Sequence, residues 1–167
     1  MYEILTPTPG LPQFPREHLL TVYMGNARLL LPGTPEYEEF EGLKTGDLAT
    51  NPVVVLYIPH GEDAIFGIGH FAPAYPDNKL IKQFENELKE AGINARELWG
   101  YGQVIPDRKN RYSWRISRAE SHFRAKFPNT QLFPPDFVSY SMPSKDTSQA
   151  ILLKSGRLVI PWDGRVR

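Results

Sequence analysis

The chain has 167 residues, 41% of them hydrophobic and 12% aromatic, a composition that excludes bulk disorder and fits one globular domain. Nineteen basic and nineteen acidic residues give a formal net charge of zero, so no global field draws the chain to nucleic acid or an anionic membrane. With no cysteine, disulfides, thiolate metal sites and cysteine nucleophiles are excluded. The sequence shows neither a leader pattern nor the ~18 successive apolar residues of a membrane span, which predicts a cytoplasmic protein without membrane insertion.

Pro7, Pro9, Pro12 and Pro15 oppose helix and predict an extended arm over residues 1–16, ahead of a single domain over 17–167. Two β-prone runs, 19–23 and 28–31, flank Met24-Gly25-Asn26-Ala27 and predict an antiparallel strand pair. Residues 32–42 carry Glu36, Glu38, Glu39 and Glu41 between turn residues and read as a solvated surface loop. The β-branched run 52–58 predicts a central strand covered on both faces. A turn at 60–63 then leads to a second strand, 64–70, whose Gly67 and Gly69 permit close backbone approach.

Asp77 is the predicted cap of a helix with Leu80, Ile81, Phe84, Leu88 and Ala91 on one stripe, Lys89 in its last turn and Gly92 just beyond. A strand over 97–104 follows. Tyr112, Ile116, Ala119 and Phe123 then recur at helical spacing and predict a helix over 112–127, stopped by Pro128. Short strands near 131–133 and 137–141 come next, and a hairpin pairs 150–154 with 157–160 around Ser155-Gly156. The predicted fold class is α+β, a layered α/β sandwich with a mixed β-sheet and two main amphipathic helices.

Among the four histidines, His18, His60, His70 and His122, no pair has metal-ligand spacing, and no metal or other cofactor is expected. Neither a nucleophile elbow nor a phosphate-cradling Gly-rich loop is present. Positions 108–126 hold Arg108, Lys109, Arg111, Arg115, Arg118, Arg124 and Lys126 against Glu120 alone, with Tyr112 and Trp114 interleaved. Such a segment either contacts phosphates or an acidic partner, or is a helix face whose arginines pair with acidic loops; zero net charge favours the second and makes nucleic acid the weaker partner class. His70 ends a glycine-bearing strand, with the Thr45-Gly46-Asp47-Leu48-Ala49-Thr50-Asn51 segment entering the neighbouring strand. It is either a base facing a polar pocket or a histidine satisfied by a backbone carbonyl.

The order of these pieces resembles the CheD family of chemoreceptor glutamine deamidases, whose fold is shared with the catalytic domain of the cytotoxic necrotizing factor toxins. The family pattern is a Thr, a short Gly-rich loop ending Gly-Ser-Cys, an apolar strand ending Leu-Tyr-Asp-Pro, and a Gly-Gly-x-x-His strand followed by Leu-Pro. Here the series reads Thr45, Gly46 to Thr50, Asn51, the strand ending Leu56-Tyr57-Ile58-Pro59, then Phe66-Gly67-Ile68-Gly69-His70-Phe71-Ala72-Pro73. Glu87-Leu88-Lys89-Glu90-Ala91-Gly92, Gly100-Tyr101-Gly102 and Ser155-Gly156-Arg157 continue it over about residues 43–160.

The resemblance implies catalytic-site positions at Thr45, which orients the histidine, at His70, which activates the nucleophile, and at Asn51, which stands where the family has its cysteine. An amide nitrogen is not a nucleophile, so the acyl-enzyme route is closed. The expected function is therefore binding of a protein partner, either a glutamine-bearing receptor-like segment or a CheC-like phosphatase, in a chemotaxis setting. Asn51 would hydrogen-bond an amide or simply cap the turn before Pro52. Thr50, Trp99, Tyr101 and Gln103 would line the approach, with Arg111 and Arg115 from the basic segment. The alternatives are an amidohydrolase using His70 as general base on water or on Thr50, and a binder of nucleic acid or acidic protein through 108–126.

Overall fold

The computed structural model describes residues 18–45, 52–72, 78–106, 113–141 and 150–161, which form ten strands and three α-helices. In chain order these are β1 (Leu19–Val22), β2 (Ala27–Leu30), α1 (Pro35–Glu39), β3 (Gly42–Thr45), β4 (Val53–His60), β5 (Asp63–His70) and α2 (Lys79–Glu90). β6 (Gly100–Ile105), α3 (Ser113–Lys126), β7 (Thr130–Gln131), β8 (Val138–Ser141), β9 (Ile151–Leu153) and β10 (Leu158–Pro161) follow. The fold is α+β, but the strands divide into two mixed sheets rather than one. The first has the order β1-β3-β9-β10-β8 and the second β2-β5-β4-β6-β7.

The β-branched run places β4 at the centre of the second sheet, antiparallel to β5 and β6, and its residues from Val53 to Leu56 are fully buried. Alternation along the strands then separates two apolar layers. Val54, Leu56, Ile65 and Val104 pack beneath α2 and α3, together with Leu80, Ile81, Phe84, Leu88, Ala119, Phe123 and Phe127. Val53, Val55, Phe66 and Ile68 face the first sheet and meet Val22, Leu43, Leu152, Leu158 and Ile160. The molecule is thus layered as helices, second sheet, first sheet. Gly67 and Gly69 lie under α2: a Cβ on Gly67 would come within 2.9 Å of the Phe84 ring, and one on Gly69 within 3.2 Å of Leu80.

Four local expectations change. The run before Gly25 and the run after it do not pair with each other: β1 pairs in parallel with β3 in one sheet, while β2 pairs antiparallel with β5 in the other. The intervening turn is instead held by the end of β5, with Gly25 N–H donating to the His70 carbonyl at 2.7 Å and His70 N–H donating to Asn26 at 2.9 Å. Residues 32–42 are not all loop. Thr34 accepts from Tyr37 N–H and Pro35 opens the helix, so the short α1 forms and buries Tyr37, while Glu36, Glu38, Glu39 and Glu41 remain solvated.

Helix α2 begins at Lys79 with Asn78 in the cap position, and Asp77, the predicted cap, lies outside the described residues. At its other end Gly92, with φ of 77°, reverses the chain as expected. The strand predicted over 97–104 starts only at Gly100, because a 3-10 turn at Ala95–Glu97, capped by Asn94, precedes it. The proline-rich arm also lies outside the described residues.

Candidate functional site

Thr45 and His70 come from different sheets but enter the same layer. Thr45 ends β3 two positions after Leu43 and opposite Val22, both of which face the second sheet. His70 ends β5 two positions after Ile68 and opposite Val53, both of which face the first sheet. By strand alternation both side chains point into the space between the sheets, at the end of the sandwich where the chain passes from β3 to β4. Pro52 on the far side of that passage accepts a bond from Phe71 N–H at 3.1 Å, so position 52 sits beside the residue following His70. Thr50 and Asn51 themselves lie outside the described residues, as does Arg111.

Burial limits what this pair can do. Thr45 is 0% and His70 1% exposed, so neither lines an open cleft, and bulk water does not reach the imidazole. The Thr45 hydroxyl accepts from Ala150 N–H at 3.0 Å, while Thr45 N–H donates to the Ala150 carbonyl at 2.9 Å, which ties the end of β3 to the start of β9. An oxygen that already accepts still has its own proton to donate, so this bond does not remove an orienting role.

Among the described residues, three large hydrophobic side chains are exposed near this end. Tyr23 and Met24, in the turn bonded to His70, are 68% and 46% exposed. Trp114, in the first turn of α3, is 64% exposed, and its neighbour Arg115 fixes that turn to the same end by donating to the Ala72 carbonyl at 2.5 Å.

Trp99, Tyr101 and Gln103 are not gathered here. Strand β6 runs antiparallel to β4, so Ile105 lies opposite Val53 and Tyr101 opposite Tyr57. Tyr101 is therefore about 13 Å along the sheet from the His70 end, at roughly 3.3 Å per residue, and Trp99 lies further still. The antiparallel direction could not be read from residue order alone. Tyr101 packs on Phe133 and Phe137, with ring centroids at 5.8 and 6.1 Å. Gln103 is nearer but committed, its side-chain oxygen accepting from Phe133 N–H at 3.0 Å.

Among the described cations of the basic segment, Arg115, Arg124 and Lys126 are committed within the fold. Arg115, expected on a partner-facing surface, is 6% exposed and lies over the Phe71 ring with its guanidinium carbon 5.8 Å from the centroid. Arg124 donates to Thr130, Gly102 and Glu120, and Lys126 pairs with Glu85 at 3.2 Å. The pairing partners belong to the helices and the second sheet rather than to acidic loops. Sequence spacing showed these cations on one segment but not that Arg115 and Arg124 turn inward.

His122 on α3 was not singled out by sequence reasoning beyond its failure to form a metal pair. It is half-buried, its Nε2 has no hydrogen-bond partner among the described residues, and its pKa is lowered, first by burial and then by the Lys126 and Lys82 ammonium groups. In the unfolded chain the imidazole takes its proton near the ordinary value of about 6.5. Between that value and the lower folded one the unfolded state binds more protons, so stability rises with pH through this window and is lost as pH falls. His122→Gln should flatten this part of the profile in urea melts at pH 7 and pH 5; an unchanged slope would remove His122 as its source.

Among the described residues no group of three or more potential ligands gathers as a metal site, and no helix is long and apolar enough to cross a membrane. The chain matches no family model, no curated protein and no solved structure.

Proposed function

We propose that this chain is a CheD-like protein that acts by binding a protein partner rather than by deamidation, and that it does so at the end of the sandwich holding Thr45 and His70. The observation that carries this reading is the combination of a shielded imidazole, 1% exposed, with three large apolar side chains exposed at the same end, Tyr23, Met24 and Trp114. Aromatic residues open to solvent suit a contact surface, whereas a histidine cut off from water is poorly placed to activate it. The absence of cysteine supports the same conclusion, since no thiolate is available for the family's route. The partners that fit the resemblance are a glutamine-bearing receptor-like helical segment and a CheC-like phosphatase.

The test is a titration of the full chain with receptor-type helical fragments and with a CheC-like phosphatase, run beside an ammonia-release assay. Saturable binding without ammonia is expected, weakened about tenfold or more by Trp114→Ala, as for a buried aromatic anchor. Ammonia release abolished by His70→Ala would overturn the reading in favour of an amidohydrolase. Binding of neither partner class would remove the proposed partners.

A further inference from the structure

A hollow of about 420 Å³ lies between the last turns of α2 and the 3-10 turn at Ala95–Glu97. Asn86 and Lys89 contribute from the helix, Ile93, Asn94 and Arg96 from the segment that follows, and Glu85 from the rim. The segment is held in place. Ile93 N–H donates to Leu88 at 2.9 Å, Asn94 caps Arg96 N–H at 3.1 Å, and the Asn129 amide donates to the Arg96 carbonyl at 2.8 Å.

The charge within this hollow is not balanced. Its single carboxylate, Glu85, is already paired with Lys126 at 3.2 Å. Lys89 and Arg96 both line this space, both residues are exposed, and neither has an ion-pair partner among the described residues. The carbonyls of Leu88 and Lys89 at the helix end accept from Ile93 and Gly92 N–H. The side-chain amide of Asn86 and the amide nitrogen of Asn94, whose oxygen is the one in use, add neutral donors, and the partly buried Ile93 gives an apolar floor. A volume at the lower end of the small-ligand range, with two cations and two amides, matches a compact dianion.

We propose that this hollow binds a small phosphomonoester, its phosphate held between Lys89 and Arg96 and its organic body over Ile93 and the two asparagines. Arginine supplies the forked donor that suits phosphate oxygens, and lysine the second point charge. The site is independent of the Thr45 and His70 end.

The experiment titrates the full chain at low salt with glucose 6-phosphate, inorganic phosphate and glucose, following backbone amide shifts over residues 85–96. Glucose 6-phosphate is expected to bind with a Kd below about 1 mM, more tightly than inorganic phosphate, while glucose shows no saturable shift. Arg96→Gln and Lys89→Gln should each weaken binding about tenfold, the scale of one lost charge-assisted bond, and added salt should weaken it further. Both side chains are exposed, so the fold is not at stake. No saturable shift up to about 10 mM phosphoester overturns the proposal, as does binding unchanged in the double variant. Inorganic phosphate binding as tightly as glucose 6-phosphate overturns the phosphomonoester assignment.

Discussion

Gly102→Ala is expected to destabilise the fold by about 3 kcal/mol, the upper part of the range for overpacking a core, and to lower Tm by roughly 6–12 °C for a chain of this size. Gly102 lies in β6 opposite Leu56, directly beneath Phe123 of α3. A Cβ there would stand 2.6 Å from Phe123 Cε1 and 3.2 Å from the Val55 carbonyl oxygen. The ring has no room to turn away, because Phe123 is fully buried and stacked on Phe127 with centroids 5.0 Å apart. The helix must move instead, and the move would also strain the bond from Arg124 to the Gly102 carbonyl. Thermal melts of Gly102→Ala, Phe123→Leu and the double variant test this directly. The smaller side chain should recover part of the loss in the double variant, and strictly additive losses would show that the ring is not what the methyl meets.

Arg124→Met should cost about 3 kcal/mol while leaving retention on heparin unchanged. The guanidinium joins three pieces of chain: it donates to the Thr130 carbonyl at 2.8 Å and hydroxyl at 3.0 Å, to the Gly102 carbonyl at 2.6 Å, and to Glu120 at 3.1 Å. Glu120 in turn accepts from Val104 N–H at 3.0 Å, so the pair stitches α3 to β6 and to the start of β7. The Arg124–Glu120 ion pair contributes little of this by itself, since the side chains are 29% and 33% exposed and solvent screens them. Most of the loss comes from carbonyls left without their donor in a partly buried setting. A variant with unchanged Tm and clearly weaker heparin retention would reverse the assignment and return the basic segment to polyanion binding.

The layered α+β class was legible because its signals are local. The β-branched run in β4 has few alternatives to a buried strand, and the stripe through Leu80, Ile81, Phe84 and Leu88 defines a helix face whatever it packs against. The candidate site was legible in part. A Thr ending one strand and a His ending another were marked by type and order, and the structure puts both into the layer between the sheets. Thr50, Asn51 and Arg111 fall outside the described residues.

What the sequence determined by itself was therefore the two long helices and the main strands, the central place of β4, the missing cysteine and the balanced charge. Sheet membership was decided by tertiary structure: a short turn after β1 pairs two strands or sends them to different sheets, and here the bond from Gly25 N–H to the distant His70 carbonyl and that from His70 N–H to the Asn26 carbonyl go with the second outcome. Direction within a sheet was decided the same way, since the antiparallel register of β6 on β4 carries Tyr101 and Trp99 away from the His70 end. So was the role of each cation. Residue type gives Arg115 and Arg124 the same charge as Arg118, but only the fold turns the first two toward the Ala72, Gly102 and Thr130 carbonyls and leaves Arg118 exposed. Charge and periodicity are properties of the chain at short range, whereas the acceptor that satisfies a donor lies wherever packing brings it.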